Sequence, residues 1–131
     1  MKTSAWEAVT RAITESPYRI TVLAPAQVAD DGTTPDSWLG AVITHTGGLL
    51  VDGGRLRVFG SGSGSVPAVH PAETGGLVVA DSVRGDRFAL VVNEKGRQVI
   101  CHLAPGLVGE SLDLGYTNWL GAMLAGSLDE I

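Results

Sequence analysis

The stretch from Trp38 to Gly60 (Trp-Leu-Gly-Ala-Val-Ile-Thr-His-Thr-Gly-Gly-Leu-Leu-Val-Asp-Gly-Gly-Arg-Leu-Arg-Val-Phe-Gly) constrains the fold more than any other. Trp38, Leu39, Val42 and Ile43 recur at helical spacing and form one apolar stripe. Gly47 is placed to stop that helix. Residues 49–51 and 56–59 are short apolar runs joined across Asp52-Gly53-Gly54, which predicts a hairpin. A helix followed at once by a hairpin needs a sheet to lie on, so the stretch predicts mixed α and β structure.

The flanking segments supply the rest of the sheet and two more helices. Ser4 with Glu7 three residues on is a capping box, and Trp6, Val9 and Ile13 follow as an apolar stripe. Ser16-Pro17 ends this first helix, because proline cannot continue the hydrogen-bond ladder. Tyr18 to Leu23 alternates as a strand, with Tyr18, Ile20 and Val22 on one face. Residues 25–34 read as a loop, and Thr34-Pro35 as the start of the second helix.

Three further strands are expected over 76–80, 87–92 and 98–103, with a short extended piece at 110–114. Their turns are too short for parallel crossovers, so the pairing is an antiparallel meander. Tyr116, Trp119, Leu120, Met123 and Leu124 then make a last helix ending at Gly126. The expected fold is α+β: an antiparallel sheet of about five or six strands packed against two or three helices. A single globular domain is expected over 1–131, with a flexible Gly/Ser loop near 60–75 begun by Gly60-Ser-Gly-Ser-Gly-Ser65.

Composition narrows the function classes. No apolar run is long enough for a membrane span, and the N-terminus lacks the apolar core of a secretory signal. The net charge of −5 argues against general nucleic-acid binding, which needs a basic footprint. Cys101 is the one cysteine, which agrees with a reducing cytoplasm, the expected location.

No complete catalytic motif is present. His45, His70 and His102 lack partners at metal-ligand spacing, and adjacent Cys101 and His102 point to opposite faces of a strand. No metal, cofactor or catalytic residue is therefore expected. His45-Thr-Gly-Gly48 follows a helix, whereas a phosphate-cradling loop precedes one. Arg84-Gly-Asp86 matches an adhesion-type triplet that is common by chance in turns and carries no weight here. Arg55 and Arg57 share one strand face by alternation, and with Arg84 and Arg87 they form the candidate binding patch. Asp52 and Asp81 each follow an apolar strand, where active-site acids and turn aspartates are both common.

The run from Leu39 through His45-Thr-Gly-Gly-Leu-Leu-Val-Asp52 to Leu56-Arg-Val and Gly60-Ser-Gly resembles the central motif of the bacterial family of unknown function DUF 2625. Gly76-Leu-Val-Val-Ala-Asp-Ser-Val, Leu112-x-Leu-Gly-Tyr-Thr-Asn-Trp-Leu and the Gly-Ser-Leu-Asp ending extend that resemblance over roughly 35–130. The chain departs from the pattern after Phe88, where an Asn-Gly-Gly-rich turn is missing, and it ends soon after the last helix. Its layout is also similar to the SMI1/KNR4-like (SUKH) superfamily, which is rich in immunity proteins against secreted bacterial toxins. The resemblance implies a non-enzymatic protein-interaction domain, with a toxin-immunity protein as its sharpest form. Two alternatives stay open: a homodimeric structural domain, and a small-ligand-binding protein or hydrolase with a site around Asp52, Asp81 and His45.

Overall fold

The computed structural model describes residues 4–25, 37–64, 66–72, 75–104 and 109–126. Helix α1 is Ala5–Glu15, strand β1 Ile20–Leu23, helix α2 Trp38–His45 and strand β2 Gly48–Val51. A 3₁₀ turn at Asp52–Gly54 leads into β3, Leu56–Phe59. Then come β4 (His70–Pro71), β5 (Leu77–Ser82), β6 (Arg87–Val92), β7 (Gln98–Leu103), β8 (Glu110–Ser111) and α3 (Tyr116–Ala125). The fold is α+β, with an eight-stranded sheet in the order β1-β2-β3-β5-β6-β7-β8 and β4 paired beside β3 along β5. All named pairings are antiparallel. Of the two strands beyond the expected count of six, β8 falls in the short extended piece expected at 110–114, and β4 is a two-residue pairing too short to leave a pattern in the sequence.

Local chemistry sets the helix boundaries. The Ser4 hydroxyl accepts from the Glu7 N–H, and α1 ends at Glu15 before Pro17. Helix α2 begins later than the Thr34-Pro35 pair suggests: Ser37 is its N-cap, its hydroxyl accepting from the Gly40 N–H. Residues 34–36 themselves lie outside the described residues. The expected stop at Gly47 also needs correction. Thr46 is the C-cap in extended conformation, and Gly47 serves instead for close approach. A Cβ at Gly47 would lie 2.3 Å from the Ala24 carbonyl oxygen and 2.8 Å from that of Gly62.

All three helices cover one face of the sheet. Val9 from α1, Val42 from α2, and Trp119, Leu120 and Leu124 from α3 join Leu49, Val51, Leu56, Val58, Phe88 and Ile100 in one buried cluster. Trp6, Ile13, Trp38 and Leu39 pack on its margin, as their spacing predicts. On α2 the stripe is carried by Ala41 and Val42, while Ile43 is only half-buried and lies outside the cluster. A bulge in β5 between Val78 and Ala80 turns both Val79 and Ala80 toward this core.

The opposite face has a smaller core of Phe59, Val66 and Val78, bordered by Leu23, Leu50, Val69 and Ala72. The chain after β3 folds back to cover it. Ser61 and Gly62 donate backbone hydrogen bonds to Thr46 and Gly47, and Val69 donates to Gly60. In this segment the glycines permit contact between backbones: a Cβ at Gly60 would sit 2.5 Å from the Thr46 carbonyl oxygen. The composition that suggests a flexible linker thus also meets a steric requirement at Gly60.

Candidate functional site

The β2–β3 connection and the β5–β6 turn meet at one corner of the sheet, where the Val83 N–H donates to the Arg55 carbonyl at 3.1 Å. Alternation does not reach Arg55, because its backbone is helical (φ −57°, ψ −35°) and it precedes β3. Its guanidinium lies 5.8 Å from the centre of the Tyr18 ring and 3.4 Å from the Asp52 carboxylate. Arg57 takes the outer face, where Nε donates to Asp81 Oδ1 at 2.7 Å and Nη2 to Oδ2. That hydrogen bond, reinforced by the carboxylate charge against a modest loss of hydration, raises the pKa of Arg57.

The register sets Arg87 opposite Asp81, which itself opposes Arg57, so one carboxylate stands between two arginine positions. Arg84 is exposed in the turn beside Val83. Val83 is 70% exposed, the most exposed of the large apolar residues described. The four arginines of the sequence patch therefore collect at one corner, but through two connections and two strands, with Arg55 and Arg57 pointing differently.

The alternative acidic site does not assemble. His45, at the end of α2, stacks on Trp6 of α1 with ring centres 4.5 Å apart, within the helical layer. Asp52 sits in the 3₁₀ turn at φ 54° beside Arg55. Asp81 lies on the outer face with Arg57, across the sheet from the helices. An open groove of about 420 Å³ at the far end of β5 and β6 is lined by Gly75, Gly76, Leu77, Leu90, Val91, Val92 and Gln98, and none of the three candidates reaches it. Among the described residues no group of three His, Cys, Asp or Glu side chains could hold a metal ion.

One constellation escaped the sequence reading. His102 Nε2 lies 3.0 Å from Asp86 Oδ1, and the Ser82 hydroxyl donates to Asp86 Oδ2 at 2.8 Å. Asp86 is only 6% exposed. Burial alone would raise its pKa, but the hydrogen bonds from His102 and Ser82, with the charges of His102 and Arg84, prevail and lower it. The His102 ring stacks on Phe88 at 5.0 Å, and Phe88 packs against Trp119. Ser82 and Asp86 flank a turn, which is a local signal. The partner His102 is 16 residues further on and is placed only by the β6–β7 register.

The hydroxyl here bonds to the carboxylate and not to the imidazole, so the set lacks the hydroxyl-to-imidazole contact that activates a serine nucleophile. What the geometry defines is an α+β domain whose distinctive polar chemistry lies on and under one surface turn.

The chain belongs to the DUF2625 family, described as "Protein of unknown function DUF2625", which it matches over residues 1–131. It is 37% identical over 107 residues to the uncharacterized protein YbfG of Escherichia coli K12, covering 73% of this chain and 50% of that protein. It is 33% identical over 106 residues to an uncharacterized protein of Haemophilus influenzae, covering 70% of this chain and 46% of the relative. The chain thus spans about half the length of these curated relatives. No solved structure matches it significantly. No helix among the described residues is long and apolar enough to cross a membrane.

Proposed function

We propose that this chain is a protein-binding domain without catalytic activity, and that its contact surface is the corner built from residues 52–57 and 81–87. The observation that carries this reading is Val83, an apolar side chain held 70% exposed by a hydrogen-bonded turn, with Arg84 and Arg87 beside it. An exposed apolar residue ringed by arginines is the composition of an interface centre, where arginine is enriched. With Arg55 and Arg57 facing Asp52 and Asp81, Arg84 and Arg87 are the charges that would favour a partner presenting carboxylates. A secreted bacterial toxin is the partner class suggested by the similarity of layout to the SUKH superfamily, and the cytoplasm is the compartment in which an immunity protein would meet it.

The test is a change of charge. Arg84→Glu combined with Arg87→Ala should weaken binding to a toxin domain that the wild-type chain binds by roughly thirtyfold, as loss of one hot spot of about 2 kcal/mol does. The melting temperature should change little, because both positions are exposed and alanine at 87 sets no second carboxylate opposite Asp81. Unchanged affinity, measured by titration calorimetry, would remove this surface from consideration. A homodimer paired through the edge of β1 is the second reading, favoured by Val22 at 45% exposure on that outermost strand. Sedimentation of the purified chain as a monomer at micromolar concentration would eliminate it.

A further inference from the structure

The turn that presents Val83 and Arg84 is tied to the β2–β3 connection by the Val83 N–H and to the core through the His102 side chain of β7. Within the turn, the Ser82 N–H donates to the Asp86 carbonyl and the Gly85 N–H to the Ser82 carbonyl. The Ser82 hydroxyl accepts from the N–H groups of Arg84 and Asp86 while donating to the Asp86 carboxylate. Asp86 is thus the hub of the turn. Its other carboxylate oxygen meets His102 Nε2 at 3.0 Å, and the His102 ring lies nearly parallel to Phe88, at 11°. The chain of contact runs from the exposed turn through Asp86 and His102 to Phe88 and Trp119.

We propose that the His102–Asp86 pair is a proton-operated latch on the 82–86 turn, closed more firmly when His102 is protonated. A neutral imidazole can donate one hydrogen bond to the Asp86 carboxylate, and an imidazolium makes the same bond between two opposite charges, which strengthens it. The groups around the ring come from several elements. Asp86 faces the ring from the turn, and Glu110 of β8 is its cross-strand neighbour. The Phe88 ring stacks on it. Arg84, close enough to act on Asp86, brings a like charge from the turn. Arg87 of β6 alternates to the opposite face, and α3 contributes Trp119 and Tyr116, which are neutral, behind Phe88.

This inference rests on the preceding reading only for its consequence: if the corner docks a partner, the docking turn is best ordered at mildly acidic pH. The latch itself is read on the free protein. In an NMR titration of the full chain from about pH 5 to 8, the amides of Val83, Arg84 and Gly85 should move with the midpoint of the His102 ring Cε1–H, not with that of His45 or His70. The hydrogen-exchange protection of Gly85, corrected for intrinsic rate, should be about fivefold higher with His102 protonated, as the bond to the Asp86 carboxylate gains a cationic donor. His102→Gln keeps a donor but cannot titrate, so it should hold the turn yet abolish the pH dependence. Turn amides that ignore the His102 midpoint in the wild type, or that titrate unchanged in H102Q, would overturn the latch. The wild-type titration decides the matter even if H102Q fails to fold. A latch that titrates normally while the arginine substitutions leave binding intact would sink the docking surface and spare the latch.

Discussion

The two faces of the sheet are filled in opposite ways. Under the helices, large apolar side chains do the work: Trp119, Phe88, Leu49, Leu56, Ile100, Leu120 and Leu124 are all essentially inaccessible to water. On the other face, among the described residues, a smaller cluster of Phe59, Val66 and Val78 is bordered by half-buried apolar side chains, with close-packed glycine backbone and the Arg57–Asp81 pair beside it. The first face is held by volume and the second by close approach and charge. The difference teaches where each kind of substitution should hurt. Truncation should be severe on the helical side, and addition of a single methyl should be severe on the other.

The largest effect should come from Trp119→Ala, which empties the centre of the helical face. We expect a loss of about 3–5 kcal/mol in denaturant unfolding, much of a typical domain's stability. A loss under 1 kcal/mol would mean that the helices do not supply the principal core. Next comes a paired test on one short glycine run. Gly60→Ala places a methyl 2.5 Å from the Thr46 carbonyl oxygen and 3.0 Å from the Gly48 nitrogen, both backbone atoms that cannot swing aside. It should cost about 1–3 kcal/mol. Gly64→Ala, four residues on, meets nothing within 4 Å and should be neutral or slightly stabilising. If both behave alike, the segment is a tether and the contrast between the faces fails.

Smaller still is Arg57→Ala, where a partly exposed ion pair with Asp81 should contribute about 1 kcal/mol or less, weakening further in high salt. The smallest change at neutral pH should be Tyr116→Phe. The Tyr116 hydroxyl and the Trp119 Nε1–H are both buried without a hydrogen-bond partner among the described residues, so deleting the hydroxyl should be near neutral. At alkaline pH the two proteins should separate. Burial raises the Tyr116 pKa well above its ordinary value, so the folded state holds that proton when the unfolded chain releases it. The sign follows: stability is unaffected below about pH 10 and falls as pH rises beyond it, and Tyr116→Phe removes that part of the fall. Parallel alkaline melts of the two proteins read the effect directly.

Much of the helical face was legible because it is written in side-chain periodicity. Ser4 with Glu7, the spacing of Trp6, Val9 and Ile13, and the run from Tyr116 to Leu124 each state their element locally. The outer face was harder to read, because glycine has several uses. Gly47 looks like a helix stop and Gly60 like a linker residue, yet both are close-packing positions whose partners, Ala24 and Thr46, lie 14 residues or more away in sequence. Arg55 was misplaced for a related reason: alternation holds only in extended backbone, and the 3₁₀ turn ends one residue too late for it. Alternation brings Arg55 and Arg57 to one face, which the backbone at Arg55 does not follow, and the sequence marks His102 only as the neighbour of Cys101. Its real partner, Asp86, is reached through strand pairing, which no local pattern encodes.

The joining of α1 to α3 has a consequence for how the protein is made. The Tyr18 hydroxyl donates to the Gly126 carbonyl at 2.7 Å, and the Ser16 hydroxyl donates to the Leu124 carbonyl. These bonds lock the exit of α1 to the exit of α3, and Val9 is buried in the cluster that α3 completes. During synthesis α1 emerges well before α3, so part of its apolar side stays bare until α3 follows, although Trp6 can stack on His45 of α2 sooner. The antiparallel hairpins β2–β3 and β6–β7 can form meanwhile from neighbouring residues. A chaperone that guards nascent chains would therefore find its ligand in Val9 and Ile13 of α1.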